Sequence, residues 1–170
     1  MSNPASTPKG RLIGLINAVY TRQWGVDDLE FGAPTAQGGA RNTSITATAA
    51  EGQPYTGQRT LTYNRVNFSA LPGATSRVFD VSQANVVTHQ DLAPLVAERF
   101  SILLTREDLT NAVLPTPNED GEIVVTLQAA PTSLIWLGSL EVTLTGVIIP
   151  LADVILNTEL NGFVHGDLGA

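Results

Sequence analysis

Apolar and polar residues alternate along this chain with two different periods, and the periods follow one another in the same order twice. The first run is helical. Thr7-Pro8 reads as an N-cap followed by a proline in the first turn, where its missing N–H costs little. Leu12, Leu15, Ile16, Val19 and Tyr20 then recur at helical spacing. The pattern predicts a helix from Pro8 to Arg22, closed by Trp24 and the segment Gly25-Val26-Asp27-Asp28-Leu29. A Pro/Gly-rich connection runs from Gly32 to Gly39, and the period then falls to two. Ile45, Ala47 and Ala49 alternate with Thr46 and Thr48, and Arg59, Leu61 and Tyr63 alternate with Thr60 and Thr62. Glu51-Gly52-Gln53-Pro54 between them is a turn signal, so the two runs predict a hairpin.

The second pass begins after the turn signal Pro72-Gly73 and a short strand expected from Arg77 to Val81. A helix is expected to open near Thr88 to Asp91, with Leu92, Leu95, Val96 and Phe100 as its stripe and Pro94 in its first turn. Thr105-Arg106-Glu107-Asp108-Leu109 has the form of a capped turn, with carboxylates near the positive end. After a loop from Pro115 to Gly121, Ile123, Val125, Leu127 and Ala129 alternate with Val124, Thr126 and Gln128. Leu140, Val142 and Leu144 do the same beyond Trp136-Leu137-Gly138. The apolar run Val147 to Leu151 contains Pro150 and is expected to be an edge or terminal strand. Residues 1–6 are expected to form a loose arm, and Leu156 to Ala170 a partly ordered tail.

Displaced by 80 residues, the two passes register without a gap through their first parts. Leu12, Leu15, Ile16 and Tyr20 fall on Leu92, Leu95, Val96 and Phe100, and Trp24, Asp27, Asp28 and Leu29 on Leu104, Glu107, Asp108 and Leu109. Ile45, Ala47 and Ala49 fall on Val125, Leu127 and Ala129. With a displacement of 81, Tyr55-Thr56-Gly57 meets Trp136-Leu137-Gly138, and Leu61 and Tyr63 meet Val142 and Leu144. The expected fold is therefore α+β: two similar helix–turn–hairpin repeats, residues 1–85 and 86–155, packed into one pseudo-twofold, β-rich domain, with 156–170 as a tail. One helix and one hairpin have too little core to stand alone, and two such units can bury their apolar faces together.

Composition narrows the function. Of 170 residues 43% are hydrophobic and 15% charged, enough apolar content for a core and too little charge for bulk disorder. The formal net charge is −7 and Lys and Arg do not cluster, which argues against a nucleic-acid partner, because phosphate neutralisation needs grouped cations. The chain has no cysteine, which removes disulfides, thiolate metal sites and cysteine nucleophiles. No run of 18 apolar residues occurs, so no transmembrane helix and no membrane partner are expected. Met1 to Gly10 lacks an apolar core and is not expected to be a secretory signal, which points to synthesis in a cytoplasm.

Candidate chemistry is sparse. His89 precedes the second helix near Asp91 and Glu98, but without a neighbouring histidine it reads as a surface residue at a helix start, and His165-Gly166-Asp167 reads as solvent-exposed. The acidic pairs Asp27-Asp28 and Glu107-Asp108 occupy matching positions, which favours a shared capping role over acid/base work. Asn118-Glu119-Asp120-Gly121 lacks the ligand spacing of a calcium loop and reads as a polar turn. Ser133 has no nucleophile motif around it, and no phosphate-cradling or dinucleotide fingerprint occurs. No catalytic, metal or cofactor residue is assigned. Trp24, Tyr55 and Trp136 raise the question of a sugar-stacking surface, with Tyr55 and Trp136 at expected hairpin loops; core or subunit contact is the favoured use. Arg59 and Arg65 read as surface or interface residues.

Leu12-Ile13-Gly14-Leu15-Ile16-Asn17-Ala18, Phe31-Gly32-Ala33-Pro34, Asn42-Thr43-Ser44-Ile45-Thr46, Tyr55-Thr56-Gly57 and Leu61-Thr62-Tyr63-Asn64-Arg65 together resemble a family of small virion structural proteins of tailed bacteriophages, many from large myoviruses. The resemblance covers residues 12–68 well and 92–145 more weakly, and Thr145-Gly146 stands where a second Asn-Arg pair would be. It implies a non-enzymatic virion subunit, assembled in the host cytoplasm beside other virion proteins and copies of itself. Tail, baseplate or neck is the favoured place, capsid decoration the alternative, and a receptor- or glycan-binding module the alternative from another class. Tyr55, Trp136, Asn64 and Arg65 are the candidate interaction residues.

Overall fold

The structure is a computed structural model that describes residues 7–73, 77–82 and 84–147. The expected arm, the run from Ile148 to Leu151 and the expected tail lie outside the described residues.

Helix α1 spans Pro8–Val19, and the Thr7 hydroxyl oxygen accepts from the Gly10 N–H at its start. It is shorter than the apolar spacing predicts. Tyr20 turns extended, and the Asn17 side chain grips the returning chain at both backbone polar groups of one residue: Nδ2 donates to Trp24 O at 2.9 Å and Oδ1 accepts from Trp24 N at 2.8 Å. The buried stripe also shifts. Leu12, Ile13 and Ile16 point inward, whereas Leu15, Val19 and Tyr20 are exposed. Spacing alone gave a stripe of the right period centred too far round the helix.

Strands β1 (Leu29–Phe31) and β2 (Thr35–Ala36) pair antiparallel with opposite ends of one edge of β3 (Thr43–Ala49). Strand β4 (Gln58–Tyr63) takes the other edge of β3, from Thr43↔Tyr63 to Thr48↔Gln58. This is the first expected hairpin. The neighbouring β1 and β2 fall in stretches that sequence pattern leaves as turn and connection, since three- and two-residue strands show no periodicity of their own.

The chain then crosses to the second half. β5 (Val66–Asn67) pairs in parallel with β8 (Trp136–Leu137), the 3-10 turn Phe68–Ala70 follows, and β6 (Val78–Asp80) pairs in parallel with β9 (Ser139–Thr145). β7 (Ile123–Gln128) pairs antiparallel with the opposite edge of β9, from Ile123↔Leu144 to Gln128↔Ser139. The second helix divides. His89–Leu92 is a 3-10 turn and α2 runs over Ala93–Phe100, with Pro94 in its first turn and Ser101 closing it in the left-handed region. The architecture is thus mixed α+β, with strands predominating.

The main core lies in the second half. Phe68, Phe79, Leu92, Val96, Leu109, Val125, Leu127, Leu140, Val142 and Leu144 form one buried cluster with Trp136. Phe68 and Phe79 come from the crossing segment, so the chain between the halves supplies the lid of the second hairpin's core.

Gly138 joins β8 to β9 at φ +78, and a Cβ there would stand 2.4 Å from Asn67 Oδ1. That oxygen already accepts from Ser69 N and starts the turn carrying Phe68. Gly52 also has positive φ (+81), but its surroundings are open. Gly138→Ala is expected to lower stability in urea unfolding by about 2–4 kcal/mol, from backbone strain plus displacement of Asn67, and Gly52→Ala by about 1 kcal/mol from strain alone.

Candidate interaction surface

Arg65, expected at an interface, makes its contacts inside the chain. Its Nε donates to Thr43 Oγ1 at 3.0 Å, and Nη1 donates to the carbonyls of Ser133 at 3.0 Å and Trp136 at 3.3 Å. The Asn42 side chain holds the Arg65 backbone, donating from Nδ2 to Arg65 O and accepting at Oδ1 from Arg65 N. Asn64 Oδ1 accepts from the Asn42 N–H, and the Tyr63 hydroxyl donates to Leu134 O at 2.9 Å. Burial raises the Tyr63 pKa, partly opposed by the Arg65 charge. Arg65 therefore staples the exit of the first hairpin to the entry of β8, and Asn64 ties that exit back to Asn42 before β3. Arg65 suits this because its planar fork reaches three acceptors at once.

Trp136 and Tyr55 separate. Trp136 is 4% exposed, lies parallel to the Phe68 ring with centroids 5.0 Å apart, and donates its indole N–H to Leu103 O at 2.8 Å. It is a core residue, within the use that its sequence context favours, although it lies in no exposed loop, and this removes half of any stacking pair. Tyr55 is half-buried beside Trp24, edge to face at 5.0 Å, and the Arg22 guanidinium lies 4.0 Å from the Tyr55 centroid and 5.0 Å from that of Trp24. The three residues line an apolar groove of ≈ 550 Å³ that also takes in Ile16, Leu29 and Leu61. Arg59, at the groove's rim, is exposed.

The acidic residues brace turns. Asp28 Oδ2 accepts from Gly25 N at 2.8 Å, and Asp108 Oδ2 accepts from Thr105 N and Thr105 Oγ1 at 3.0 and 2.8 Å. Their partners Asp27 and Glu107 point to solvent. Capping thus falls on one member of each pair, and on short turns rather than on either α-helix. Asp108 is buried, and its Oδ1 accepts a 2.6 Å bond from Ser133, whose Oγ in turn accepts from Trp136 N. The Thr-x-x-Asp step was visible in the sequence; Ser133 was not, because its partner lies far away along the chain. Asn118 Oδ1 accepts from the N–H groups of Asp120 and Glu122, which closes the polar turn.

His89 is partly buried, and burial lowers its pKa from 6.5. Asp91 completes a capping box with Thr88 and pairs with Arg106; hydrogen bonds from Thr88 hold its pKa below 3.8. Among the described residues no group of three or more His, Asp and Glu side chains could hold a metal ion.

The fold and these contacts define a small α+β protein whose polar side chains brace turns and join its parts. Residues 1–169 match the family of unknown function DUF7941, and the chain belongs to that family. No curated protein and no solved structure matches it.

Two measurements check this geometry. Arg65→Met keeps the aliphatic stem but leaves the Ser133 and Trp136 carbonyls without their donor, so urea unfolding should show a loss of about 2–3 kcal/mol. His89 has a folded pKa below its unfolded value, so the unfolded state binds the proton first and stability falls as pH drops through about 6.5. Between about pH 7.5 and 5.5 the unfolding free energy should decline, and His89→Gln should flatten that decline. The Asp91 contribution is lost only below its unfolded value of 3.8, outside that window.

Proposed function

We propose that this chain is a non-enzymatic structural subunit of a tailed-bacteriophage virion, sited in the tail, baseplate or neck, and built from two copies of one helix–turn–hairpin unit. The observation that carries the reading is a set of hydrogen bonds that recurs at a displacement of 80 or 81 residues. Gly25 N to Asp28 Oδ2 matches Thr105 N to Asp108 Oδ2. Ala50 N to Asp28 O matches Ala130 N to Asp108 O, and Gln53 N to Ala50 O matches Ser133 N to Ala130 O. Ala49 N to Gly57 O matches Ala129 N to Gly138 O, with both glycines at positive φ. The β3–β4 register maps onto the β7–β9 register residue for residue, and the β1 pair Leu29↔Ala49 onto the bridge Leu109↔Ala129.

Shared apolar periodicity could arise in any two hairpins. Shared turn hydrogen bonds, registers and positive-φ glycines together favour duplication of one unit. The contact between the units is not reciprocal among the described residues. Tyr63 and Arg65 at the end of the first hairpin touch Ser133, Leu134 and Trp136, whereas Leu144 and Gly146 at the end of the second lie against Phe79, Asp80 and Ser82. The phage assignment rests on the resemblance of residues 12–68, and the structural role is supported by the use of Asp28, Asp108, Asn42 and Arg65 as braces. A chain holding two like units suits a ring whose symmetry is half that of its neighbour.

Mass spectrometry of purified particles of the phage that encodes this chain should find it at a copy number matching a tail or neck ring. Its absence from the particles would sink the virion assignment, and a copy number matching the capsid lattice would overturn the tail placement.

A further inference from the structure

Strand β9 is paired along both edges and β4 along one. β7 takes one edge of β9, and β6 pairs in parallel with the other, setting Val78, Phe79 and Asp80 beside Thr143, Leu144 and Thr145. Phe79 is buried there, its ring edge to face with Phe100 of α2 at 6.4 Å. At the displacements of 80 and 81, Phe100 corresponds to Tyr20 and Leu144 to Tyr63. Tyr20 is exposed and Tyr63 half-buried, and among the described residues β4 pairs with β3 alone. The ladder fixes which groups the free edge presents. Ala49 N donates to Gly57 O, and bonded pairs in an antiparallel ladder recur at every second residue. Arg59, Leu61 and Tyr63 therefore turn their main-chain groups to β3, and Thr60 and Thr62 turn theirs outward. The residue matching Thr62 is Thr143, which lies on the edge that β6 takes.

Apolar recesses lined by both α1 and β4 lie beside this edge. The groove already described has Ile16 and Tyr20 on one side and Leu61 on the other. A second recess, of ≈ 640 Å³, is lined by Leu12 and Leu15 of α1 and by Tyr63. The charge of the linings is one-sided. Arg22 and Arg59 line the groove and Arg11 the second recess, three of the chain's nine cationic side chains, and none of its sixteen Asp and Glu residues lines either. Among the described residues none of the three arginines has an ion pair, in a chain of net charge −7.

We propose that the free edge of β4 takes an extended segment of another protein as a parallel strand, one that carries an acidic, an aliphatic and an aromatic side chain at alternate positions. The inference rests on the equivalence of the two units proposed above. The aromatic ring lies beside Tyr63 and against Tyr20, as Phe79 lies beside Leu144 and against Phe100. Strand residues two apart share a face, so the aliphatic side chain two residues earlier meets Leu61 and the carboxylate four residues earlier meets Arg59. Main-chain pairing supplies the affinity, and the recesses and arginines select the side chains. The β4 edge of a second copy is the poorer occupant, because it brings a second set of the same arginines to the site, and like charges across an interface repel.

The probe is a blocked heptapeptide, Thr-Asp-Thr-Val-Thr-Phe-Thr, titrated into the full chain. Saturable binding is expected, with the largest amide shifts at Thr60 and Thr62. Arg59→Glu, or a peptide with Lys in place of its Asp, should weaken binding about fivefold. Thr62→Pro removes an outward N–H without touching the ladder to β3 and should weaken binding about tenfold, with far-UV dichroism unchanged. A nitroxide on the aromatic end of the peptide should broaden the Asn64 signals before those of Arg59. Absence of saturable binding would overturn the proposal. So would equal binding by Arg59→Glu, or a dimer of the chain that Thr62→Pro dissociates, which would give the edge to a second copy. Broadening of Arg59 before Asn64 would overturn the parallel direction, which comes from the equivalence of the units, and would leave the binding itself standing. No readout involves the phage particle, so the docking and the virion assignment can fail separately.

Discussion

The contact between Phe68 and Trp136 is the one on which the rest of the architecture hangs. A hairpin with one apolar face is not stable in water until something covers that face. Here the cover for the second hairpin is the chain leaving the first. Phe68 reaches the Trp136 ring because β5 pairs with β8, because Asn67 starts the turn that follows, and because Gly138 leaves room for the Asn67 side chain. The indole N–H, which would be costly to bury unpaired, finds Leu103 O. Remove this contact and the second core loses its lid, while the first hairpin loses the anchor that Arg65 makes on the Trp136 carbonyl.

Dependence of this kind explains why the two hairpins differ in filling although their registers match. Thr43, Ile45 and Ala47 stand where Ile123, Val125 and Leu127 stand in the second unit, and the exposed Arg59 stands where Leu140 is buried. The second hairpin buries its inward side chains under a covering segment. The first leaves those of β4 exposed or half-buried beside a groove. Hydrophobic burial scales with area removed from water, so most of the stabilisation sits in the second unit and the first depends on it.

Much of this was legible in the sequence. Period-two alternation located β3, β7 and β9, each with one buried face, and β4, where Leu61 and Tyr63 are half-buried, and Thr7-Pro8 marked the start of α1. What escaped was set by contacts distant along the chain. The end of α1 depends on Asn17 reaching Trp24, and β5 and β8 are too short to show a period. Trp136 beside a glycine looked like a loop aromatic, because nothing local announces the arrival of Phe68. Arg65 looked like a surface charge for the same reason: its acceptors are backbone carbonyls, which no side-chain pattern reveals. The matching acidic positions were informative, though only Asp28 and Asp108 do the bracing.

Arg65 and Gly146 stand at the ends of the two hairpins and hold those ends in different ways. At the end of the first hairpin a guanidinium ties the exit to the next unit through charge-assisted bonds, so the junction within the chain is held by both packing and polar contacts. At the end of the second, glycine at φ +68 permits close approach of Asp80 and Ser82, and no arginine follows to staple the exit to another unit. The first exit is therefore held by polar bonds and packing together, whereas the second is held by strand pairing with β6 and close packing of the backbone.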